Sequence, residues 1–283
     1  MRKLLNTLYV TTPEAYISKN GLNVVVTVDK EEKIRVPIIN LEGIVTFGYV
    51  GASPGLMKLC AEHNVSLNFL SPNGRFIGRF QGPIKGNVLL RTKQWDYSKD
   101  NSFSLHISSL FIAAKIHNYR NILSRFLRDN EYDDKVSQSV AHLKYCKQKV
   151  LNTSDMNTLR GIEGEAANCY FSHFSKLILH QKNDFVFNGR SRRPPKDAVN
   201  SMLSFVYTLI ASDMAAALKT VGLDPYIGFL HTMRPGRASL ALDVMEELRA
   251  YLGDRLVLTL INRKQLSIAD FIHHGEDEVV MTD

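Results

Sequence analysis

The feature that most constrains this chain is a change of hydrophobic period near residue 88. Before it, short β-rich runs follow one another: LYV at 8–10, AYISK at 15–19, LNVVVTV at 22–28, KIRVPI at 33–38 and GIVTFG at 43–48. Such runs read as strands. After it, SLHISSLFIAAKIHNYRNILSRFLRD at 104–129 carries apolar residues at intervals of three and four, the period of a helix. Further helical stretches are expected at 134–151, 154–179, 197–220 and 239–251, with Gly222, Pro225 and Pro235 punctuating the connections. The predicted fold class is α+β, an N-terminal β-rich domain over 1–90 followed by a larger all-α-helical domain over 91–283. A chain of 283 residues is near the size at which one core gives way to two.

Local signals refine this outline. Asn20-Gly21 and Pro72-Asn73-Gly74 are turn sequences that should join strands. Between them, SPGLMKLCAEHN at 53–64 offers a serine cap, a proline at the first helical position and Leu56, Leu59 and Cys60 at helical spacing. The apolar stretch Val199 to Leu218 is interrupted by Asn200, Ser201, Ser204, Thr208, Ser212 and Asp213, so a buried helix is expected there and not a membrane span. The acidic residues of 270–283, with no Lys or Arg among them, predict a solvated tail. Cys60, Cys146 and Cys169 include no CxxC pair, which argues against a disulfide framework or a thiolate zinc site. With no continuous apolar leader at the N-terminus, a cytoplasmic protein is expected. The net charge of +7 favours polyanionic partners, although a soluble basic protein with no such partner fits it equally well.

Three segments of the helical half concentrate unusual residues. In TLRGIEGEAANCYFSHF at 158–174, Gly161 and Gly164 flank Glu163 inside a helical pattern that glycine disfavours. In GFLHTMRPGRASLALDVMEELRA at 228–250, a loop with His231, Arg234 and Arg237 leads into a helix whose Asp243 and Glu246, three residues apart, share a face. Imidazole with carboxylates and no cysteine suits Mn²⁺ or Mg²⁺, and zinc less well. In NGRSRRPPKDAVNSMLSFVY at 188–207, Arg190, Arg192, Arg193 and Lys196 crowd a proline-marked loop before a helix that Asp197 can cap. Guanidinium groups suit bidentate phosphate contacts.

Each segment has a plainer reading alone: a glycine-tolerant helix start, a core histidine beside a solvated acidic face, an exposed basic linker. Together, a candidate divalent-metal site and candidate phosphate contacts describe phosphodiester chemistry. His231 fits either a ligand or a proton carrier.

In this order, behind a β-rich N-terminal region, the segments resemble the CRISPR-associated integrase family that inserts new spacers into the CRISPR array. The resemblance is carried by RGIEGEAANCYF at 160–171, RRPPKDAVNSMLSFVY at 192–207, GFLH with GRASLALDVMEELR at 236–249, and INLEGIVTFGYVGASPGLMKLCAEHNVSLNFLSPNGRF at 39–76. It extends to about Lys264 and is nearest to the type I-C branch. It implies that Glu163, His231 and Glu246 are metal ligands for Mg²⁺ or Mn²⁺, with Asp243 in a supporting active-site role and Glu165 off the motif. Arg190, Arg192, Arg193, Lys196, Arg234 and Arg237 are the expected DNA contacts.

By the same resemblance the chain is a metal-dependent DNA endonuclease and integrase. It would act as a homodimer with a small ferredoxin-like companion protein, on prespacer DNA and the CRISPR repeat, with no nucleotide cofactor and no membrane. The alternative is a catalytically idle DNA-binding scaffold of the same complex, and a metal-dependent RNase or unrelated phosphodiesterase is a third reading. One departure stands out: family members usually continue with further helices where this sequence reads HHGEDEVVMTD, a difference expected to weaken DNA binding or assembly and spare the three ligands.

Overall fold

The computed structural model of the chain describes residues 6–72, 74–80, 82, 88–191, 194–274 and 278–282. The chain divides into two compact units, one ending at Gly86 and one spanning Asn87–Thr282.

The first unit holds eight strands and one helix among the described residues: β1 (Asn6–Val10), β2 (Tyr16–Asn20), β3 (Asn23–Val28), β4 (Glu31–Pro37), β5 (Leu41–Phe47), β6 (Gly51–Ala52), α1 (Pro54–His63), β7 (Ser66–Leu70) and β8 (Phe76–Phe80). They form two four-stranded sheets, ordered β1-β5-β7-β8 and β4-β3-β2-β6. β5 is parallel to both β1 and β7, so the first sheet is built by crossovers as well as hairpins. Asn20-Gly21 makes the expected hairpin, pairing Asn20 with Asn23, and Gly21 adopts φ +60°, which a side chain would disfavour. Asn73 lies outside the described residues, and the strands on either side of that turn, β7 and β8, pair antiparallel. In α1, the Ser53 hydroxyl accepts from the Leu56 amide at 3.2 Å, and Leu56, Leu59 and Cys60 are buried as their spacing predicts.

The second unit is mostly helical: α2 (Val88–Lys99), α3 (Asn101–Asp129), α4 (Asp134–Leu151), α5 (Met156–Phe171), α6 (Phe174–Leu177), α7 (Ala198–Thr220), α8 (Ser239–Leu248) and α9 (Arg255–Asn262). Asp100, Asp133, Asp155 and Asp197 each cap a helix, accepting backbone N–H groups that would otherwise lack partners. A π-helical segment, Arg249–Asp254, joins α8 to α9. The core collects Ile112, Ile116 and Leu123 from α3, Leu143 and Val150 from α4, Leu159 and Tyr170 from α5, and Val199, Leu203 and Val206 from α7. Among the described residues α7 is the one helix long and apolar enough to cross a membrane, and it sets this stripe into the core.

Two expectations are corrected here. The second unit is not all-helical: β9 (Phe271–His274) and β10 (Glu278–Met281) form an antiparallel hairpin. For the same reason residues 270–274 and 278–282 are not a solvated tail, because Phe271 and Val279 join the helical core and the Val279 amide donates to the Pro195 carbonyl at 2.9 Å. The acidic residues had masked this alternation, one buried apolar side chain per strand among exposed neighbours.

Candidate metal centre

Four segments of the second unit meet at one point. α5 begins at Asp155, whose carboxylate accepts from the amides of Asn157 and Thr158 at 2.9 and 2.8 Å. Its Leu159, Ile162, Ala166 and Tyr170 are buried, and Glu163, next to Ile162, sits half-buried at the edge of this face. Gly161 and Gly164, which flank it, have no described atom within 4 Å of where a Cβ would stand, so packing within the chain does not account for them.

α8 supplies the other two carboxylates. Asp243 and Glu246 share a face, as their spacing predicts, and both are buried. Asp243 is fully enclosed and accepts four hydrogen bonds. Its Oδ2 takes the amides of Phe229 and Leu230 at 2.6 and 3.0 Å, and its Oδ1 takes the amide and Nδ1 of His231 at 2.9 and 2.7 Å. This one carboxylate therefore folds the histidine loop onto the helix. Gly228 permits the approach, since a Cβ there would lie 2.7 Å from Ser239 Cβ and 2.8 Å from Asp243 Oδ2. Arg160 braces the same loop from α5 by donating to the Leu230 carbonyl at 2.9 Å.

Because a carboxylate only accepts, the His231 proton facing Asp243 sits on Nδ1, and the ring is oriented with Nε2 on the side of Glu246. Nε2 lies 3.9 Å from Glu246 Oε1. Lys115 of α3, 4% exposed, pairs with Glu163 Oε1 and also with Glu246 Oε2, the latter at 2.7 Å. Arg249 Nη2 lies 3.1 Å from Glu246 Oε1, and its guanidinium stacks over Tyr207. Burial alone would raise the Glu246 carboxyl, but Lys115 and Arg249 outweigh it and hold the group at about 2, so it stays ionised throughout the neutral range.

The residues present fit a divalent ion. Two carboxylates converge on one ammonium, which shows that the pocket already stabilises positive charge, and His231 Nε2 lies 3.9 Å from one of them, Glu246. Two oxygen donors and one nitrogen suit Mn²⁺ or Mg²⁺. Sequence reasoning placed Glu163, His231, Asp243 and Glu246 together and missed Lys115 and Arg249. Lys115 had left a signal: it interrupts a stripe containing Ile112, Ile116 and Tyr119, and a lysine on a core face requires a partner.

The expected DNA contacts fare differently. Arg190 is half-buried: its Nη1 donates to Asn200 Oδ1 at 2.6 Å and Nη2 to Ser204 at 3.3 Å, and its guanidinium faces the Tyr207 ring. These contacts tie its loop to α7. Arg192 and Arg193 lie outside the described residues, Lys196 and Arg234 are exposed, and Arg237 is half-buried.

A second convergence lies on the other side of α5. His142 Nε2 is 2.9 Å from Glu165 Oε1 and 3.4 Å from Cys146 Sγ. Burial pushes the Cys146 thiol up to about 11, so it remains protonated, and His142 already has its carboxylate partner. This group is a polar contact between α4 and α5 above a core cysteine.

Beneath the centre, burial pushes Asp254 up to about 6, against the Tyr207 hydroxyl that donates to its Oδ1. The folded state thus binds this proton more tightly than the unfolded state. The associated stability is fully present below an ordinary aspartate pKa and is lost as pH rises through about 6. A shift of roughly two units corresponds to a loss of up to ~3 kcal/mol by pH 7. Asp254→Asn keeps the acceptor for Tyr207 and should flatten the dependence of melting temperature on pH between roughly 4 and 7. Parallel melting curves for the two proteins would show that this carboxyl titrates normally.

Against this geometry, comparison with known proteins is direct. Residues 8–283 match the family described as CRISPR associated protein Cas1. The chain is 47% identical to the CRISPR-associated endonuclease Cas1 1 of Chlorobaculum tepidum, over 100% of this chain and 83% of that protein. Its fold is shared with a Cas1 protein from Thermotoga maritima, at TM-score 0.83 and 24% identity, over 99% of this chain and 86% of that one. A casposase bound to integration product has the same fold, at TM-score 0.80 and 24% identity, over 98% of this chain and 79% of that one. The chain belongs to the CRISPR-associated Cas1 family.

Proposed function

We propose that this chain is a divalent-metal-dependent DNA endonuclease and integrase that inserts spacer DNA into a CRISPR array. The observation that carries the reading is that Glu163 and Glu246, from separate helices, share the Lys115 ammonium while His231 Nε2 lies 3.9 Å from Glu246, with Asp243 fixing the histidine. Family membership and the name of the endonuclease relative support it. Glu163, Glu246 and His231 would hold Mg²⁺ or Mn²⁺, which when bound polarises the scissile phosphate and offsets charge on the departing oxygen.

The chain's own part is positional. Asp243 sets the imidazole tautomer and ring orientation, and Arg249 keeps Glu246 ionised and fixed beside it. In the proposed exchange a prespacer 3′-hydroxyl attacks a phosphodiester at the edge of the repeat, so one P–O bond forms and one breaks. The attacking hydroxyl loses a proton and the departing oxygen gains one, so no external energy source is needed. The proposal includes a homodimer, a small ferredoxin-like companion protein and placement in the type I-C branch, all on the strength of the motif resemblance. Arg190, Lys196, Arg234 and Arg237, with Arg192 and Arg193, are the proposed phosphate contacts.

The test uses labelled prespacer and repeat-containing DNA with the companion protein present. Joined product is expected with Mn²⁺ or Mg²⁺ and none after chelation. Salt-sensitive DNA binding without turnover in any divalent metal would favour the scaffold reading. Preferential cleavage of RNA would favour a ribonuclease.

A further inference from the structure

Lys115 has no place in the chemistry described above, yet it occupies the centre of the site. It comes from α3, a helix that supplies none of the three proposed ligands, and its side chain is 4% exposed. Its ammonium touches one oxygen from each of the two carboxylates, Glu163 Oε1 and Glu246 Oε2, and lies 5.7 Å from the Tyr119 ring one turn along α3.

The charges around it explain why a cation is there. In formal charges at pH 7, with histidine counted as neutral, Glu163, Glu246 and Asp243 contribute three negative charges and Lys115 and Arg249 two positive ones. The cluster with Lys115 in place is therefore at −1, and without it at −2. A divalent ion added beside the ammonium would leave +1 in a largely dry site, whereas one that replaced the ammonium would leave zero. Lysine suits such a role, being a compact charge on a flexible four-carbon stem that can withdraw without moving the helix that carries it.

We propose that the Lys115 ammonium is a resident surrogate for the catalytic metal, holding Glu163 and Glu246 together in the resting protein and leaving them when Mg²⁺ or Mn²⁺ binds. This rests on the metal-centre reading above and adds regulation to it: metal loading is a competition, and the resting protein carries its own competitor. The device keeps the two acids converged without metal, and it weakens metal affinity so that occupancy follows the free-ion concentration.

The experiment measures Mn²⁺ binding to chelator-stripped protein by the electron paramagnetic resonance signal of free Mn²⁺. It compares wild type, Lys115→Met, Lys115→Arg and the double variant Glu163→Gln/Glu246→Gln. Lys115→Met should bind Mn²⁺ at least about tenfold more tightly than wild type, with a lower melting temperature in the absence of metal, because two buried carboxylates have lost a partner. Lys115→Arg should bind no more tightly than wild type.

A wild-type measurement covers the case in which Lys115→Met fails to fold. With lysines labelled at ¹³Cε, the Lys115 resonance, assigned from Lys115→Arg, should shift on addition of Mg²⁺ at fixed pH. Unchanged or weaker Mn²⁺ affinity in folded Lys115→Met, or a Lys115 resonance indifferent to saturating Mg²⁺, overturns the inference and leaves the metal centre standing. Mn²⁺ binding that is equal in wild type and the double glutamine variant overturns the metal centre itself.

Discussion

Glu246→Gln should abolish most strand transfer while leaving DNA binding nearly intact. The amide keeps the size of the side chain and one acceptor oxygen, so Lys115 retains Glu163 and the fold is disturbed little. What is lost is the negative charge held at about 2 by Lys115 and Arg249, and with it an anionic ligand. Several kcal/mol of metal-derived charge stabilisation, at about 1.36 kcal/mol per tenfold, corresponds to a rate loss of roughly 10²- to 10³-fold. DNA affinity, which rests on dispersed phosphate contacts, should stay within about threefold. Initial rates of joined product and fluorescence anisotropy on the same DNA measure the two quantities. A variant turning over within about tenfold of wild type would remove Glu246 from the site.

Asp243→Asn carries the second large effect, and the reason is hydrogen-bond capacity. Each carboxylate oxygen accepts two N–H donors, one pair from the amides of Phe229 and Leu230 and the other from the amide and ring of His231. An asparagine turned either way points its own NH₂ at one of these pairs, leaving buried donors facing donors. At about 1–3 kcal/mol for each stranded group, a loss of about 3 kcal/mol or more in stability is expected. The histidine also exchanges a charged partner for a neutral amide that accepts from Nδ1 in only one of its two orientations, which should weaken Mn²⁺ binding by about 10- to 100-fold. Thermal melting and Mn²⁺ titration are both needed, because a residue that merely packed would lower the first and spare the second. Mn²⁺ affinity within about threefold of wild type would deny Asp243 its positioning role.

How much of this was legible in the sequence depended on how far apart the interacting residues lie. Local signals read well: the Ser53 cap, the Asn20-Gly21 turn, the length of α4 and the shared face of Asp243 and Glu246 are all decided within a few residues. The parallel pairing of β1, β5 and β7 was not visible, since nothing short-range encodes which strands become neighbours across a crossover. The β9–β10 hairpin was hidden because charge dominated the reading of a segment in which single apolar residues carry the burial.

At the site, the family motifs pointed to Glu163 and His231, but no motif described what surrounds them. Lys115 lies 48 residues from Glu163 in the chain, and its importance arises only because α3 and α5 pack side by side. Arg190 makes contacts that were equally invisible in the sequence. An arginine among other arginines and prolines says nothing of Asn200 and Ser204, the partners it finds on the helix that follows.

The π segment at Arg249–Asp254 has an effect on everything beyond it. Relative to a regular helix it holds surplus backbone, and each residue in an α-helix advances the screw by about 100°. Arg249 at its start meets Glu246 across an ordinary i,i+3 step, whereas Asp254 at its end reaches Tyr207 on a bearing that the extra backbone sets. Excising a single residue from this stretch would rewind α9 by more than a quarter turn, presenting Val257, Leu258 and Ile261 to the wrong neighbours. The buried acid at Asp254 and the helix that closes the core are thus geared to the same few peptide units.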